Sequence, residues 1–239
     1  MGKLDGKTAL ITGASRGIGL EIARALASEG AQLILVARHH RTLTPAARQI
    51  PGTVMSVPAD LTRPADVQRL FAAVRKQVRC LDILINNAGV FTFKPFAQTT
   101  LADWRRNIET NLTSLFLTTQ AALPLLKRSH GDVVNILSIS SRIAFANCSA
   151  YTAAKFGALG LTGVLRRELR ADGIRVTAVL PGMTDTHMKG EFDFPVRSED
   201  LLRPEDVAAA VLSALVQSRR ATLEEILLMP STGPLSGGN

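Results

Sequence analysis

The chain has 239 residues, of which 46% are apolar, enough to build one domain with a sizeable core. Lysine and arginine exceed aspartate and glutamate by 28 to 20, a formal net charge of +8, which points to an anionic ligand, a nucleic acid or an acidic partner protein. The basic residues are scattered and the chain has one Trp and one Tyr, which argues against nucleic acid as the main ligand. No apolar run approaches the roughly 20 residues of a membrane span, so we expect no membrane partner.

The N-terminus enters a strand pattern almost at once, which leaves no room for a signal peptide or an Arg-rich transit helix. The two cysteines, Cys80 and Cys148, form no metal-ligand motif. Free cysteines without a secretion signal are typical of a reducing compartment. The sequence therefore predicts a cytoplasmic protein with no bound metal.

Strand and helix patterns alternate along the whole chain. Short apolar runs predict seven strands, at 7–12, 32–37, 53–58, 82–86, 133–137, 174–180 and 225–229. Amphipathic spacing predicts helices at 20–28, 41–50, 64–78, 101–127, 151–170 and from 204 onwards. The nearly all-apolar run 82–86 is typical of a strand covered on both faces. We expect an α/β chain, a single doubly wound Rossmann-fold domain over residues 1–239 with a parallel sheet of about seven strands and helices on both faces.

Some local signals bound these elements. Gly30 is expected to stop the first helix as a C-terminal cap, and Pro124 to end or kink the long helix near its last turn. The polar stretch 185–202 is a candidate lid over a substrate, and 230–239 is expected to be a tail. We find no repeat and no linker long enough to divide the chain.

A glycine-rich loop follows the first strand and precedes the first helix. It reads Gly13-Ala14-Ser15-Arg16-Gly17-Ile18-Gly19, a variant of the dinucleotide-binding spacing. Glycines allow the backbone to approach a pyrophosphate, and the helix N-terminus offers unpaired N–H groups and a positive dipole. The alternative is an ordinary turn that contains glycines, but the strand and helix on either side favour a cofactor loop.

The end of the second strand bears on which cofactor would bind. An NAD-binding unit carries an acidic residue there, whereas this chain has Ala37-Arg38 and no acid until Asp60. Arg38, with Arg16 approaching from the glycine loop, suits the 2′-phosphate of NADP, because a guanidinium matches phosphate geometry. The alternative is two solvated arginines.

Polar and small residues also follow the fourth strand, which ends Asn86-Asn87-Ala88-Gly89, as expected where backbone meets a ligand. Phe91, Phe93 and Phe96 come next in a loop. They line a pocket or form a small separate core patch, and the sequence leaves both interpretations open.

Tyr151 and Lys155 lie four residues apart at the start of a helical pattern, which places them on one helical face. A cation beside a phenol stabilises the phenolate, and we expect Lys155 to lower the pKa of Tyr151 towards neutrality. Ser138, at the end of the fifth strand, could donate a hydrogen bond to a substrate oxygen. These groups are suited to moving a proton to or from an alcohol or carbonyl.

Taken together, the chain resembles the short-chain dehydrogenase/reductase family, NADP-dependent type, over nearly its whole length. The pieces that match in order and separation are Thr12–Gly19, Asp60-Leu61, Asn86–Gly89, Asn111, Ser138, Tyr151-x-x-x-Lys155, Pro181-Gly182 and Thr186. The resemblance implies that Tyr151 is the general acid or base and that Ser138 polarises the substrate oxygen. It implies that Lys155 lowers the pKa of Tyr151 and holds the nicotinamide ribose, and that Asn111 connects a water chain to Lys155.

The same resemblance implies a set of cofactor-binding residues. They are Gly13, Ser15, Arg16, Ile18, Gly19, Arg38, Asp60, Leu61, Asn87, Ala88, Gly89, Tyr151, Lys155, Pro181, Gly182, Thr184 and Thr186. Ser140 and Ser141 are misplaced for the family's serine, and are expected to be structural or substrate-facing. Cys148 either shapes the substrate pocket or is a buried spectator thiol.

The function expected is hydride transfer between NADP(H) and a ketone or 3-oxoacyl type carbonyl or its secondary alcohol. The alternatives are a non-catalytic NADP-binding redox sensor and, from the +8 charge, a nucleic-acid or acidic-protein binder. The resemblance also implies a homodimer or homotetramer that packs through the helices at 101–127 and 151–170.

Overall fold

The computed structural model describes residues 2–52, 54–188 and 197–231. Its seven strands form one parallel sheet with the order β3-β2-β1-β4-β5-β6-β7. The strands are β1 (Thr8–Thr12), β2 (Gln32–Ala37), β3 (Val54–Pro58), β4 (Ile83–Asn86), β5 (Asp132–Ile136), β6 (Arg175–Pro181) and β7 (Glu225–Leu228). This confirms the predicted parallel doubly wound α/β fold, with strand bounds that differ from prediction by one residue at most places. Of the predicted third strand, residue 53 lies outside the described residues.

Seven α-helices connect the described strands. They are α1 (Gly17–Ser28), α2 (His40–Arg48), α3 (Pro64–Gln77), α4 (Leu101–Ile108), α5 (Ser114–Ser129), α6 (Ser149–Glu168) and α7 (Pro204–Leu215). Short 3₁₀ turns lie at Phe96–Gln98, Ile139–Ser141, Leu169–Asp172 and Ser198–Asp200. Gly30, with φ +88°, follows α1 as predicted for its C-terminal cap.

Side chains of one strand alternate between two apolar layers, which explains why both sheet faces are covered. In β1, Ala9 and Ile11 pack with α1 and α7, whereas Leu10 packs with α3 and α5. Because neighbouring side chains of a strand point to opposite faces, a strand buried on both faces must be apolar at nearly every position. Burial of these two layers stabilises the sheet and orders its carboxyl edge.

The long helix predicted at 101–127 differs from the structure in two ways. A single π-helical turn, Glu109–Thr113, separates α4 from α5, and Asn111 lies within it. In addition, α5 continues through Pro124 to Ser129, so of the two predicted effects of Pro124 the ending of the helix is wrong, while a kink stays a prediction. Leu125 and Leu126 are buried in the core beyond the proline, and their packing stabilises the turn that the missing N–H weakens.

Within the described ranges, none of the helices is long and apolar enough to cross a membrane. The same residues contain no cluster of three or more His, Cys, Asp or Glu side chains suited to hold a metal ion.

Candidate active site

A cleft of about 430 Å³ opens at the carboxyl edge of the sheet, where the strand order changes direction between β1 and β4. Its wall collects the loops that follow β1, β2, β3 and β4 together with residues after β6. Of the predicted cofactor residues, the wall contains Gly13, Ser15, Arg16, Ile18, Arg38, Asp60, Leu61, Asn87, Ala88, Gly89 and Thr186. The other six predicted cofactor residues, Gly19, Tyr151, Lys155, Pro181, Gly182 and Thr184, are not among the wall residues in the described part of the chain.

The glycine loop is held against the loop after β4, and this contact requires glycine at two positions. Gly13 has φ +66°, and a Cβ added there would lie 2.9 Å from the Cα of Ala88. A Cβ on Gly19 would overlap the side-chain amide of Asn87. Gly19 therefore serves the cleft from behind the wall, by allowing α1 to approach Asn87 closely.

Thr12 is a site-forming residue whose role the sequence did not reveal. Its hydroxyl accepts hydrogen bonds from the backbone N–H groups of Asn87 at 2.9 Å and Ala88 at 3.0 Å. The Asn87 amide in turn donates to the backbone oxygens of Thr12 and Gly13 at 3.0 and 3.2 Å. These bonds cross-link the carboxyl ends of β1 and β4 and fix the floor of the cleft. The sequence signal for this role was a threonine at the last position of β1. In the structure this threonine lies opposite the Asn87 amide.

One end of the cleft is basic. Arg16 and Arg38 both line it, and His39 and Thr42 are further wall residues that the sequence analysis missed. The Nε of Arg38 donates to the Nε2 of His39 at 3.1 Å. Burial by itself would raise the pKa of Asp60, but hydrogen bonds from Thr62 and the charges of Arg38 and Arg63 hold that pKa below its usual value. The carboxylate thus stays ionised beside the arginines.

The four residues predicted to be catalytic come from three elements. Ser138 follows β5, Tyr151 and Lys155 lie in the first two turns of α6, and Asn111 lies in the π turn. The Nζ of Lys155 is 5.6 Å from the centroid of the Tyr151 ring and donates to the backbone oxygen of Ile136 at 3.1 Å. Gly89 links this group to the cleft wall, because a Cβ on Gly89 would lie 2.9 Å from Asn111 Oδ1 and 4.0 Å from Lys155 Nζ.

The pKa values of Tyr151 and Lys155 are set mainly by burial. Burial raises the pKa of Tyr151 to about 12, although a hydrogen bond from Ser138 lowers it in part. Burial lowers the pKa of Lys155 to about 8. The expectation that Lys155 lowers the pKa of Tyr151 is therefore wrong for this structure, because the ammonium is directed to Ile136 and loss of hydration dominates.

Ser138 has its hydroxyl arranged as a donor. Its Oγ accepts a hydrogen bond from the N–H of Ser140 at 3.1 Å, and the hydroxyl is hydrogen-bonded with Tyr151. Ser140 and Ser141 are buried in the 3₁₀ turn that follows, which agrees with a structural role. The Ser141 Oγ is one of the buried side-chain atoms of the described residues that have no hydrogen-bond partner.

Asn111 is buried, and its side-chain amide is fully occupied. Its Oδ1 accepts from the N–H of Val90 at 3.1 Å, and its Nδ2 donates to the oxygens of Val90 at 2.9 Å and Asn107 at 3.0 Å. A mid-helix Asn that bonds both backbone groups of another loop is neither solvated nor merely bonded to its own helix. π turns recur at functional sites, and this one directs the amide towards the loop beside the cleft.

The segment after β6 reaches the cleft from the opposite side. The N–H of Gly182 donates to Leu228 at 2.7 Å, and the Thr184 hydroxyl donates to the oxygen of Gly182 at 3.1 Å. Thr184 and Leu202 form an isolated parallel bridge. The two ends of the candidate lid 185–202 are therefore joined beside β7. Thr186, His187 and Met188 line the cleft, and residues 189–196 and 232–239 of the predicted lid and tail lie outside the described residues.

The structure also distinguishes the three phenylalanines whose roles the sequence left open. Phe91 is buried and packs edge-to-face against Tyr151, Phe93 is half-buried, and Phe96 is exposed. Cys148 is buried near Tyr151, and burial raises the pKa of its thiol to about 11. An uncharged, buried thiol fits both interpretations made for Cys148, as an apolar wall or as a spectator.

The chain is similar to known proteins in both sequence and fold. Residues 7–194 match the family model described as short chain dehydrogenase. The chain belongs to the short-chain dehydrogenase family. It is thus an oxidoreductase in class.

Relatives of similar length surround it within that family. An uncharacterized oxidoreductase of Staphylococcus haemolyticus is 34% identical over 232 residues, covering 96% of this chain and 100% of the relative. A metagenomic short-chain oxidoreductase solved in complex with NADP has 31% identity and a TM-score of 0.84, covering 97% and 100% of the two chains. An alcohol dehydrogenase of the archaeon Thermococcus sibiricus, complexed with 5-hydroxy-NADP, has 29% identity and a TM-score of 0.89, covering 95% and 98%.

Proposed function

We propose that this short-chain dehydrogenase is a cytoplasmic NADPH-dependent carbonyl reductase that interconverts a ketone or 3-oxoacyl type carbonyl and its secondary alcohol. One observation carries the proposal. The group of Ser138, Tyr151 and Lys155 approaches, through Lys155 and Gly89, the wall of a cleft that also contains Arg16 and Arg38. The proposed proton-transfer groups thus lie next to a cleft whose wall contains the proposed phosphate-binding groups.

The residues of the cleft fit NADP(H). The close approach of Gly13 to Ala88 leaves a backbone surface without side chains at the N-terminus of α1, as a pyrophosphate requires. Arg16 and Arg38, with no acid at position 37, suit a 2′-phosphate, and Asp60 and Leu61 would hold the adenine end. The solved relatives with NADP and 5-hydroxy-NADP support this choice. When bound, the cofactor supplies or accepts the hydride.

Tyr151 would give the proton to the carbonyl oxygen in reduction and take it back in oxidation. The Ser138 hydroxyl would donate a second hydrogen bond to the same oxygen, where negative charge develops. Lys155 would stabilise the tyrosinate by its charge, and would hold the nicotinamide ribose, when its ammonium turns from Ile136 towards the ring. The buried surroundings of both groups strengthen these interactions because water screens them less.

Apolar side chains beside Tyr151 support an apolar substrate. Phe91 packs on the tyrosine ring and the buried Cys148 lies next to it, so an apolar ring and an uncharged thiol form part of the described surroundings of the phenol. The intact group Asn111, Ser138, Tyr151 and Lys155 favours catalysis over a purely cofactor-sensing role, because a sensor needs no proton donor.

Exposed apolar residues on α5 and α6 support self-association. Phe116, Phe156 and Val164 are each more than two-fifths exposed, although they lie on helices that pack over the sheet. Exposed large apolar groups on helix surfaces favour an interface. We therefore propose that the protein is a homodimer or homotetramer that packs through α5 and α6.

The test first measures the binding of NADPH and of NADH to the purified protein by nicotinamide fluorescence. Turnover is then measured from nicotinamide absorbance on a panel of ketones and 3-oxoacyl thioesters. NADPH binding with turnover would support the reductase. Binding without turnover on any panel member would favour the sensor, and no binding of either cofactor would overturn the cleft assignment.

A further inference from the structure

We propose that Phe91 is a positioning residue, which holds the ring of Tyr151 in the orientation needed for proton transfer. The two rings meet edge-to-face, with centroids 4.9 Å apart and an interplanar angle of 89°. This is a favoured geometry for aromatic pairs, since the positive edge of one ring meets the negative face of the other. The inference rests on the proposed catalytic role of Tyr151.

The residue on each side of Phe91 is bound by a buried asparagine, Val90 through its backbone and Thr92 through its side chain. Asn111 binds both the N–H and the carbonyl of Val90, at 3.1 and 2.9 Å. Asn107 donates from its Nδ2 to the Thr92 hydroxyl at 2.8 Å. Both asparagines are buried, and they lie one turn apart where α4 passes into the π turn. Phe91 is therefore held between two anchored neighbours, and only 8% of it is exposed.

The same segment is joined directly to the start of α6. The N–H of Lys94 donates to the oxygen of Asn147 at 2.7 Å. Asn147, with φ +62°, immediately precedes Cys148, the residue at the N-cap position of α6. Lys94 is itself held by an ion pair of 2.8 Å to Asp103, within the capping box of α4. One end of the segment is thus anchored on the π turn and the other on the helix that carries Tyr151.

This arrangement fixes Tyr151 from two directions. The helix sets the position of its Cα, and the ring of Phe91 limits rotation of the phenol about its side-chain bonds. Among the described residues, the polar and ionisable groups found to act on the phenol are Ser138, Cys148 and Lys155. Phe91 adds an apolar surface that keeps water from the ring, which agrees with a pKa of Tyr151 raised by burial.

The chain offers a direct measurement, because Tyr151 is its only tyrosine. Alkaline titration of tyrosinate absorbance in the protein without cofactor or substrate therefore reports this phenol alone. Phe91→Ala should lower the titration midpoint by about one pH unit, since water reaches the ring. Phe91→Leu, which keeps an apolar side chain, should give a smaller shift and remain folded if Phe91→Ala does not.

Turnover supplies the second readout. Both variants should lower kcat about three- to tenfold, the range that loss of one aromatic pair gives, and should shift the pH profile of kcat. Affinity for NADPH should stay within about twofold, because Phe91 does not line the cofactor cleft in the described part of the chain. Phe96→Ala, a change at a residue 82% exposed on the same connection, is the matched control and should alter neither titration nor kcat.

Circular dichroism at each pH checks that the proteins remain folded during titration. A midpoint and pH profile unchanged in both folded Phe91 variants would overturn the proposal. The failure of the proposed function looks different, since the wild type would then lack turnover with every substrate. In that case the titration of the free protein still decides whether Phe91 controls the phenol.

Discussion

The ammonium of Lys155 donates to the backbone oxygen of Ile136 at 3.1 Å, while its distance from the Tyr151 ring centroid is 5.6 Å. Lys155 is buried and Tyr151 is half-buried, and loss of hydration moves the pKa of each towards its neutral form, to about 8 for Lys155 and about 12 for Tyr151. The pair is therefore costly to keep charged in the folded chain. That cost gives the protein a measurable dependence of stability on pH.

We expect Lys155→Met to remove an electrostatic penalty. The pKa of Lys155 falls from 10.5 to about 8 on folding, so the unfolded chain binds more protons between these values. The contribution of Lys155 to stability is thus least favourable below pH 8 and recovers as pH rises to 10.5. The free energy of unfolding of the wild type, relative to Lys155→Met, should rise by about 3 kcal/mol across this window. Urea unfolding at several pH values measures it.

Lys76→Met is the matched control for that series. Lys76 is exposed near the end of α3, and its removal should leave the pH dependence as in the wild type. A flat difference between wild type and Lys155→Met from pH 8 to 10.5 would show that Lys155 is not desolvated as described.

Tyr151→Phe removes the hydroxyl and retains the ring that packs on Phe91. We expect turnover to fall by at least about a hundredfold, the usual contribution of a general acid or base. Affinity for NADPH should change little, because Tyr151 is not in the described cleft wall. Ser141→Ala, which removes a buried hydroxyl without a hydrogen-bond partner, serves as a control and should keep most of the activity. Near wild-type turnover of Tyr151→Phe would refute its assignment as the proton donor.

Arg38→Asp is expected to move cofactor preference from NADPH towards NADH. The carboxylate would repel a 2′-phosphate, and loss of a charge-assisted contact changes affinity about ten- to a hundredfold. Arg41→Asp makes the same change of net charge at an exposed residue outside the described cleft wall, and should leave the preference nearly unchanged. The measurement is the ratio of the dissociation constants for NADPH and NADH, obtained by nicotinamide fluorescence. Equal ratios in both variants would mean that Arg38 does not contact the 2′-phosphate.

Asp132→Asn tests the opposite edge of the sheet. Asp132 accepts from Arg175 at 2.6 and 2.9 Å and from Arg219 at 2.9 Å, and the Arg175 side chain is largely buried. Removing the carboxylate charge leaves a buried guanidinium without its counterion, so we expect a loss of about 3 kcal/mol in the free energy of unfolding. Glu199→Gln breaks an exposed pair with Arg197 and should cost less than about 1 kcal/mol. A similar small cost for Asp132→Asn would mean that the pair is solvated.

Local patterns alone predicted most of the fold. The seven apolar runs and the amphipathic spacings between them placed all seven strands within about a residue of their positions in the parallel sheet. These patterns are reliable because a strand covered on both faces must be apolar throughout, whereas a helix covered on one side must follow its own period. The glycine loop, Arg38 and the spacing of Tyr151 and Lys155 could likewise be recognised in the sequence, because each pattern involves residues that are close together along the chain.

Long-range contacts decided the rest. The π turn at Asn111 follows from the hydrogen bonds of that side chain to Val90, 21 residues away along the chain, which no local spacing reveals. Continuation of α5 past Pro124 depends on core packing of Leu125 and Leu126, whose partners lie on distant elements. Thr12 became a site residue only because β1 and β4 are neighbours in the sheet.

The charge states of Tyr151 and Lys155 likewise depend partly on local spacing and partly on tertiary structure. The sequence placed Lys155 beside Tyr151 on one helical face, and proximity by itself predicts a lowered phenol pKa. The tertiary structure buried Lys155, half-buried Tyr151, directed the ammonium to Ile136 and packed Phe91 on the ring. Sequence spacing therefore indicated which residues to propose for the chemistry. Their pKa values and orientation depend on how much water the folded chain excludes, and only the tertiary structure determines that.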